Sequence, residues 1–187
     1  VQQFGVTVNP NGGKWNNTTA DTNIPMNCDD TREIADATRT GYTFNGWTLT
    51  GAGSILTGNN FKMGYENATL TAQWNANTYT VTFDPNGHGT PNPTSKPVTF
   101  DLPYGDLAQI SENGYTFGGW YMNADCTGDQ VTAETIVKTA AEHTLYAKWT
   151  VQQFGLTVKP NGGVWNNSAA DTNIPMNCDD TREIADA

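Results

Sequence analysis

Apolar positions along this chain recur in short alternating runs split by turn residues, and the runs themselves recur. Phe4-Gly5-Val6-Thr7-Val8 alternates apolar and polar and runs into Pro10-Asn11-Gly12-Gly13. The alternation is that of a half-buried strand. Pro presets φ and Asn-Gly tolerates positive φ, so a turn follows. The same strand and turn return as Tyr79-Thr80-Val81-Thr82-Phe83-Asp84-Pro85-Asn86-Gly87 and as Phe154-Gly155-Leu156-Thr157-Val158-Lys159-Pro160-Asn161-Gly162-Gly163. The three starts, at 4, 79 and 154, are 75 residues apart. A fixed period of this size marks an array of modules.

A second pattern closes each module. Gly41-Tyr42-Thr43-Phe44-Asn45-Gly46-Trp47 is followed by Ala68-Thr69-Leu70-Thr71-Ala72-Gln73-Trp74. Its counterpart is Gly114-Tyr115-Thr116-Phe117-Gly118-Gly119-Trp120-Tyr121, followed by His143-Thr144-Leu145-Tyr146-Ala147-Lys148-Trp149. A strand of strict period two cannot turn Tyr42, Phe44 and Trp47 to one face, so a bulge at Gly46 is expected to re-aim Trp47, with Gly118-Gly119 doing the same for Trp120. Tyr42, Phe44, Trp47, Trp74, Tyr115, Phe117, Trp120 and Trp149 are the expected core aromatics. The modules are then 1–76 and 77–150, with 151–187 the front half of a third. Ile24 and Met26 mark a second strand. Asp30 with Glu33 three residues on resembles a capping box, which predicts a short helix through Ile34 and Ala37. Residues 104–110 are the matching short helix of the second module. Residues 133–141 read as a helix or a loop over the core.

Residues 151–187 match 1–37 at all but five positions: Val6/Leu156, Asn9/Lys159, Lys14/Val164, Thr18/Ser168 and Thr19/Ala169. Module 77–150 is much more divergent, so the higher-order order is A–B–A′, and the chain is expected to be an excised window of a longer alternating array. Leu156, Val158, Ile174 and Ile184 need a partner. Two readings stand. The tail replaces residues 1–37 in another copy, a head-to-tail contact that builds filaments when it does not close. Or it packs against the second module.

Composition narrows the classes. The chain carries a net charge of −10 with a pI near 4.3. It has no Lys/Arg cluster, which removes a nucleic-acid footprint, and its acidity opposes an anionic membrane surface. No apolar run approaches the roughly 20 residues that span a bilayer, so no membrane insertion is expected, and no signal peptide is evident. Thr, Asn and Gly are abundant, a strand-and-turn composition. Cys28, Cys126 and Cys178 are odd in number and lack CxxC spacing, so neither a disulfide framework nor a zinc site is expected. Buried or idle thiols are the plain reading. No cofactor is expected.

The motifs Phe83-Asp84-Pro85-Asn86-Gly87, Gly114 to Tyr121 and His143 to Trp149 resemble the Listeria–Bacteroides repeat, the family that includes the B-repeat of internalin B. Residues 9–13, 41–47 and 71–74 match with drift, and the third module matches in its opening motif. The resemblance implies a mainly β, α+β fold: tandem β-grasp-like modules, each a small mixed sheet crossed by one short helix. It implies arrays in secreted or cell-wall-attached bacterial proteins, acting as stalks, fibres or adhesins without catalytic residues. Neighbouring repeats of the same chain, or other copies of it, are the expected partners. Glycans or host surface proteins are the alternative.

Candidate chemistry is sparse. His88 and His143 lie in different elements, with no Ser/Asp pairing suggestive of a triad. Asp125, Gly128 and Asp129 resemble a calcium loop, but the spacing is not that of an EF-hand; a turn is the plainer reading. Asp29-Asp30 and Asp179-Asp180 read as helix-start charges. Lys148 lies beside a core Trp, but Gln73 takes its place in the first module, which argues against a crosslink shared by the repeats. Trp15 and Trp165, flanked by Asn pairs and read as exposed, are the candidates for stacking on sugars, with a Trp pinned to its own module as the ordinary alternative.

Overall fold

The Val6-Thr7-Val8 alternation forms β1 (Gln3–Asn9), which pairs antiparallel with β2 (Thr22–Asn27), Val6 opposite Ile24. The computed structural model describes residues 2–183. Two compact units form: the chain as far as Tyr79 with Pro97–Pro103 and Ile136–Glu142, and Thr80–Lys96 with Tyr104–Thr135 and the chain from His143 on. The fold is mainly β, and no helix forms among the described residues.

In unit 1, β3 (Thr31–Glu33), β4 (Tyr42–Thr50), β5 (Ile55–Thr57), β6 (Asn60–Lys62) and β7 (Ala68–Ala76) follow. β1 runs parallel to β7, Val6 beside Ala68 and Val8 beside Leu70, and β7 pairs antiparallel with β4. The sheet order is β2-β1-β7-β4. Val6, Val8, Leu70 and Ala72 are fully buried, and each Val or Leu so enclosed contributes about 1.5–3 kcal/mol. The register shifts between Phe44 and Trp47, where Gly46 takes φ 89°. This expected bulge turns both rings inward, and Phe44 meets Trp47 edge-on at 5.2 Å and Trp74 at 5.5 Å.

The helix expected after Asp30 is absent. Thr31–Glu33 is the strand β3, antiparallel to β6, and with β5 they make a three-stranded sheet ordered β3-β6-β5. The Asp30 carboxylate accepts from the Asn27 N–H at 2.8 Å. It therefore closes the turn behind it instead of capping a helix ahead. Ile34, Phe61 and Met63 are buried on this side.

The second sheet contains β8 (Thr78–Asp84), β9 (Ser95–Thr99), β10 (Tyr115–Tyr121), β11 (Gln130–Val131) and β12 (His143–Val151), ordered β11-β10-β12-β8-β9. β8 lies parallel to β12, and β10 antiparallel to it, with a register shift between Phe117 and Trp120 at Gly119, φ 106°. The order β9-β8-β12-β10 repeats β2-β1-β7-β4, with β11 added at the edge. Trp120, Val81, Phe83, Leu145 and Ala147 form its buried layer. The matching helix at 104–110 is also absent. Asn92 and Gln109 bridge instead, and the Lys96 ammonium donates to the carbonyls of Tyr104 at 2.8 Å and Asp106 at 2.6 Å. Residues 133–141 take the loop alternative, with Val137 buried.

Unit 2 also holds the hairpin of β13 (Gln153–Val158) and β14 (Thr172–Asn177), in the register of β1 and β2. Leu156 is 38% exposed where Val6 is sealed. Ile184 lies outside the described residues.

Candidate functional site

The tryptophans serve as ties. The Trp74 indole N–H donates to the carbonyls of Pro10 at 3.2 Å and Asn11 at 3.1 Å, and Trp149 donates to Pro85 at 2.8 Å. Each closing strand thus grips the Pro-Asn-Gly turn of its own repeat. Trp120 donates to Ala108 O at 3.0 Å. Ala35 stands six residues before Gly41, as Ala108 stands before Gly114. Its carbonyl is taken by Trp15, also at 3.0 Å, and the buried N–H of Trp47 has no partner. Trp47 and Trp120 lie in the cores, while Tyr42, Phe44, Trp74, Tyr115, Phe117 and Trp149 are half-buried.

Trp15 and Trp165 are not exposed: they keep 3% and 7% of their surface. Asn16 and Asn17 both adopt positive φ, 47° and 64°, and Trp15 and Thr18 exchange backbone hydrogen bonds across them. This tight reversal, shared by Asn166 and Asn167, folds each indole inward and leaves no ring face for a sugar.

The feature shared by both units is a contact around a Gly-Tyr pair. In unit 1, Gly41 takes φ 79°, and the Phe100 ring fills the space of a Cβ on Gly41. Asn77 N–H donates to Gly41 O, and Phe100 N–H to Asn77 O, both at 2.9 Å. Phe100 meets Tyr42 edge-on at 5.6 Å, and the Tyr42 hydroxyl donates to Asp101 at 2.6 Å. Inside unit 2 the pattern recurs. Gly114 also has φ 79°, and Cys178 Sγ fills its Cβ space. Gln152 N–H donates to Gly114 O at 2.8 Å, and Cys178 N–H to Gln152 O at 3.2 Å. Side chains join in, Thr43 donating to Asn77 at 2.6 Å and Gln152 to Thr116 at 3.0 Å. The inserted residue sits on the turn after the second strand, and the Asp behind it is left-handed each time: Asp101 at 61°, Asp179 at 66°.

Electrostatics differ between the two contacts. Hydrogen bonds from Lys138 and then Tyr42 hold the Asp101 carboxyl below its usual value, and the bond to Asp101 raises the Tyr42 hydroxyl. Arg39 lies 3.8 Å over the Tyr42 ring. These groups border an open cleft of about 660 Å³ that also reaches Lys14. Its Arg and Lys138 are already engaged by Asp101. In unit 2, burial and then the Asp179 and Cys178 charges raise the Tyr115 hydroxyl, whose ring stacks on His88 at 3.9 Å.

The remaining candidates fall elsewhere. His143 pairs with the Tyr104 hydroxyl at 2.6 Å. The Asp125 carboxylate accepts from the backbone and hydroxyl of Thr127 at 3.1 and 2.7 Å, closing the loop on itself and lowering its pKa. Lys148 lies 5.1 Å over Tyr121. Asp29 starts no helix; it pairs with Lys62 at 2.7 Å. The three thiols are free and not buried, Cys28 being exposed. Among the described residues, no group of three or more His, Cys, Asp or Glu is placed to hold a metal, and no helix is long and apolar enough to cross a membrane.

The Gly-Tyr contact escaped the sequence reading, because Phe100 and Cys178 differ in kind. The shared repeat position of Cys28 and Cys178 was the available signal.

The Listeria-Bacteroides repeat domain profile matches residues 4–73 and 79–148. A protein of Evansella cellulosilytica named "Putative Gly-rich membrane protein" is 33% identical over 136 residues, covering 67% of this chain and 16% of that protein. Internalin H of Listeria monocytogenes is 36% identical over 121 residues, covering 64% of this chain and 21% of its own length. The chain therefore spans less than a quarter of either relative.

Proposed function

Since the chain belongs to the Listeria-Bacteroides repeat family, we propose that it is a non-catalytic segment of a tandem-repeat stalk, fibre or adhesin on a bacterial cell surface. Its task is spacing. The observation that carries this reading is the recurrence of one contact: the turn after a second strand is set against a Gly-Tyr pair at Gly41 and again at Gly114. A repeat of roughly 75 residues buries a modest share of its surface, and contacts between neighbours supply the missing stability in such arrays. The names of the relatives, an internalin and a membrane protein, support a surface location. The central parallel pair flanked by antiparallel strands supports a helix-free variant of the β-grasp arrangement.

The open edge of β13 belongs to the same reading. Phe154 and Leu156 are exposed there, while β7 seals the equivalent edge of β1. A β7-like strand is the complement, supplied by continuation of the chain or by another copy head to tail. Sedimentation at high concentration tests the second source, which a strict monomer rules out.

Scattering from chains extended by one and then two further copies of residues 1–150 tests the spacer. Equal increments of the maximum dimension support it. An increment that vanishes overturns it.

A further inference from the structure

Cys28, Phe100 and Cys178 each follow the second strand of their repeat, and each is followed by a left-handed Asp, with Asp29 at 68°. Two of the three turns are seated on a Gly-Tyr pair. The third, Cys28-Asp29, stands exposed. It is nevertheless shaped like its seated twin. Asp30 accepts from the Asn27 N–H at 2.8 Å, as Asp180 does from Asn177 at 2.7 Å. Residues 20–33 and 170–183 are identical, and Gln2 stands where Gln152 joins Gly114 to Cys178.

We propose that the Cys28-Asp29 turn is a docking plug whose socket is the Gly-Tyr pair of a repeat of the second type, the Gly114-Tyr115 surface of another copy of 77–150 placed before it. This rests on the array reading. The socket demands Gly for two reasons: the φ of 79° and the space that Cys178 Sγ fills. A small thiol fits there, whereas the first-type pair at Gly41 receives the Phe100 ring under the Arg39-covered Tyr42. Plug and socket thus pair second type with first, which sustains an alternating order. Gln2 would accept and donate as Gln152 does, through backbone groups that any side chain leaves in place.

Thiol reactivity tests this on the full chain extended at its start by a further copy of 1–150, in which that leading copy carries Cys28→Ser and Cys126→Ser. Iodoacetamide labelling is followed by peptide mass; the Thr18-Thr19 and Ser168-Ala169 differences separate the two otherwise similar peptides. In the unextended chain, Cys178 should react about tenfold or more slowly than Cys28, because labelling requires the contact to open. In the extended chain, Cys28 should slow to the rate of Cys178, with Cys126 unchanged as the folding control. If Cys28 stays fast while Cys178 is slow, the plug is overturned and the array reading survives. If both react fast, the array reading falls with it.

Discussion

The ring of Phe100 occupies the space that a Cβ on Gly41 would fill. One glycine therefore meets two demands, a left-handed backbone and room for a neighbour. Gly87 makes a useful contrast: its φ is 93°, but nothing lies within 4 Å of its missing Cβ. Gly87→Ala should cost only the left-handed strain, about 1–2 kcal/mol. Gly41→Ala should cost more, since Phe100 must also move. Urea unfolding of the two variants decides it, and equal losses would contradict the steric role.

The two bulge tryptophans should differ in how they tolerate loss of the indole N–H. Trp120 donates to Ala108 O, whereas the Trp47 N–H is buried and unpartnered. Trp120→Phe strands a carbonyl, and Trp47→Phe relieves a buried donor. The first should be more destabilising by about 1 kcal/mol. Equal effects by thermal unfolding would show that ring volume alone matters.

Acid should weaken unit 1 through Asp101. Its folded pKa lies below the ordinary 3.8, held there by Lys138 and Tyr42. A depressed carboxylate contributes stability above its unfolded value and loses it as pH falls through the folded value. Protection of the amides around Gly41, taken relative to their intrinsic exchange rates at each pH, should therefore fall below about pH 4, and Asp101→Asn should flatten that dependence. An unchanged acid limb in the variant would remove Asp101 from the contact.

Trp15→Ala should act on stability. The side chain is buried and tied to Ala35 O, so its removal should cost about 3–5 kcal/mol in denaturant unfolding. Unaltered stability with loss of a glycan-array signal would instead restore the sugar-stacking role.

These outcomes reflect what local pattern records. Val6-Thr7-Val8 and the glycine before Trp47 were legible because alternation and a bulge are properties of one strand. The pairing of β3 with β6 was not, since Asp30 and Glu33 satisfy a capping pattern and only the partner strand, some 30 residues on, decides against it. The inward course of Trp15, the ordinary alternative to an exposed ring, rests on Asn16-Asn17, whose two positive φ values make a tight reversal. The seat of Phe100 on Gly41 joins residues 59 apart, and the residue that fills the equivalent seat at Gly114 is a cysteine.

Residue-resolved hydrogen exchange of Asn77 and Gln152 tests the recurring contact most directly, because their amides donate to Gly41 O and Gly114 O. Both should be protected well beyond the exposed turns of the same repeats. Exchange of either at the rate of an unstructured amide would contradict the account of repeats joined one to the next.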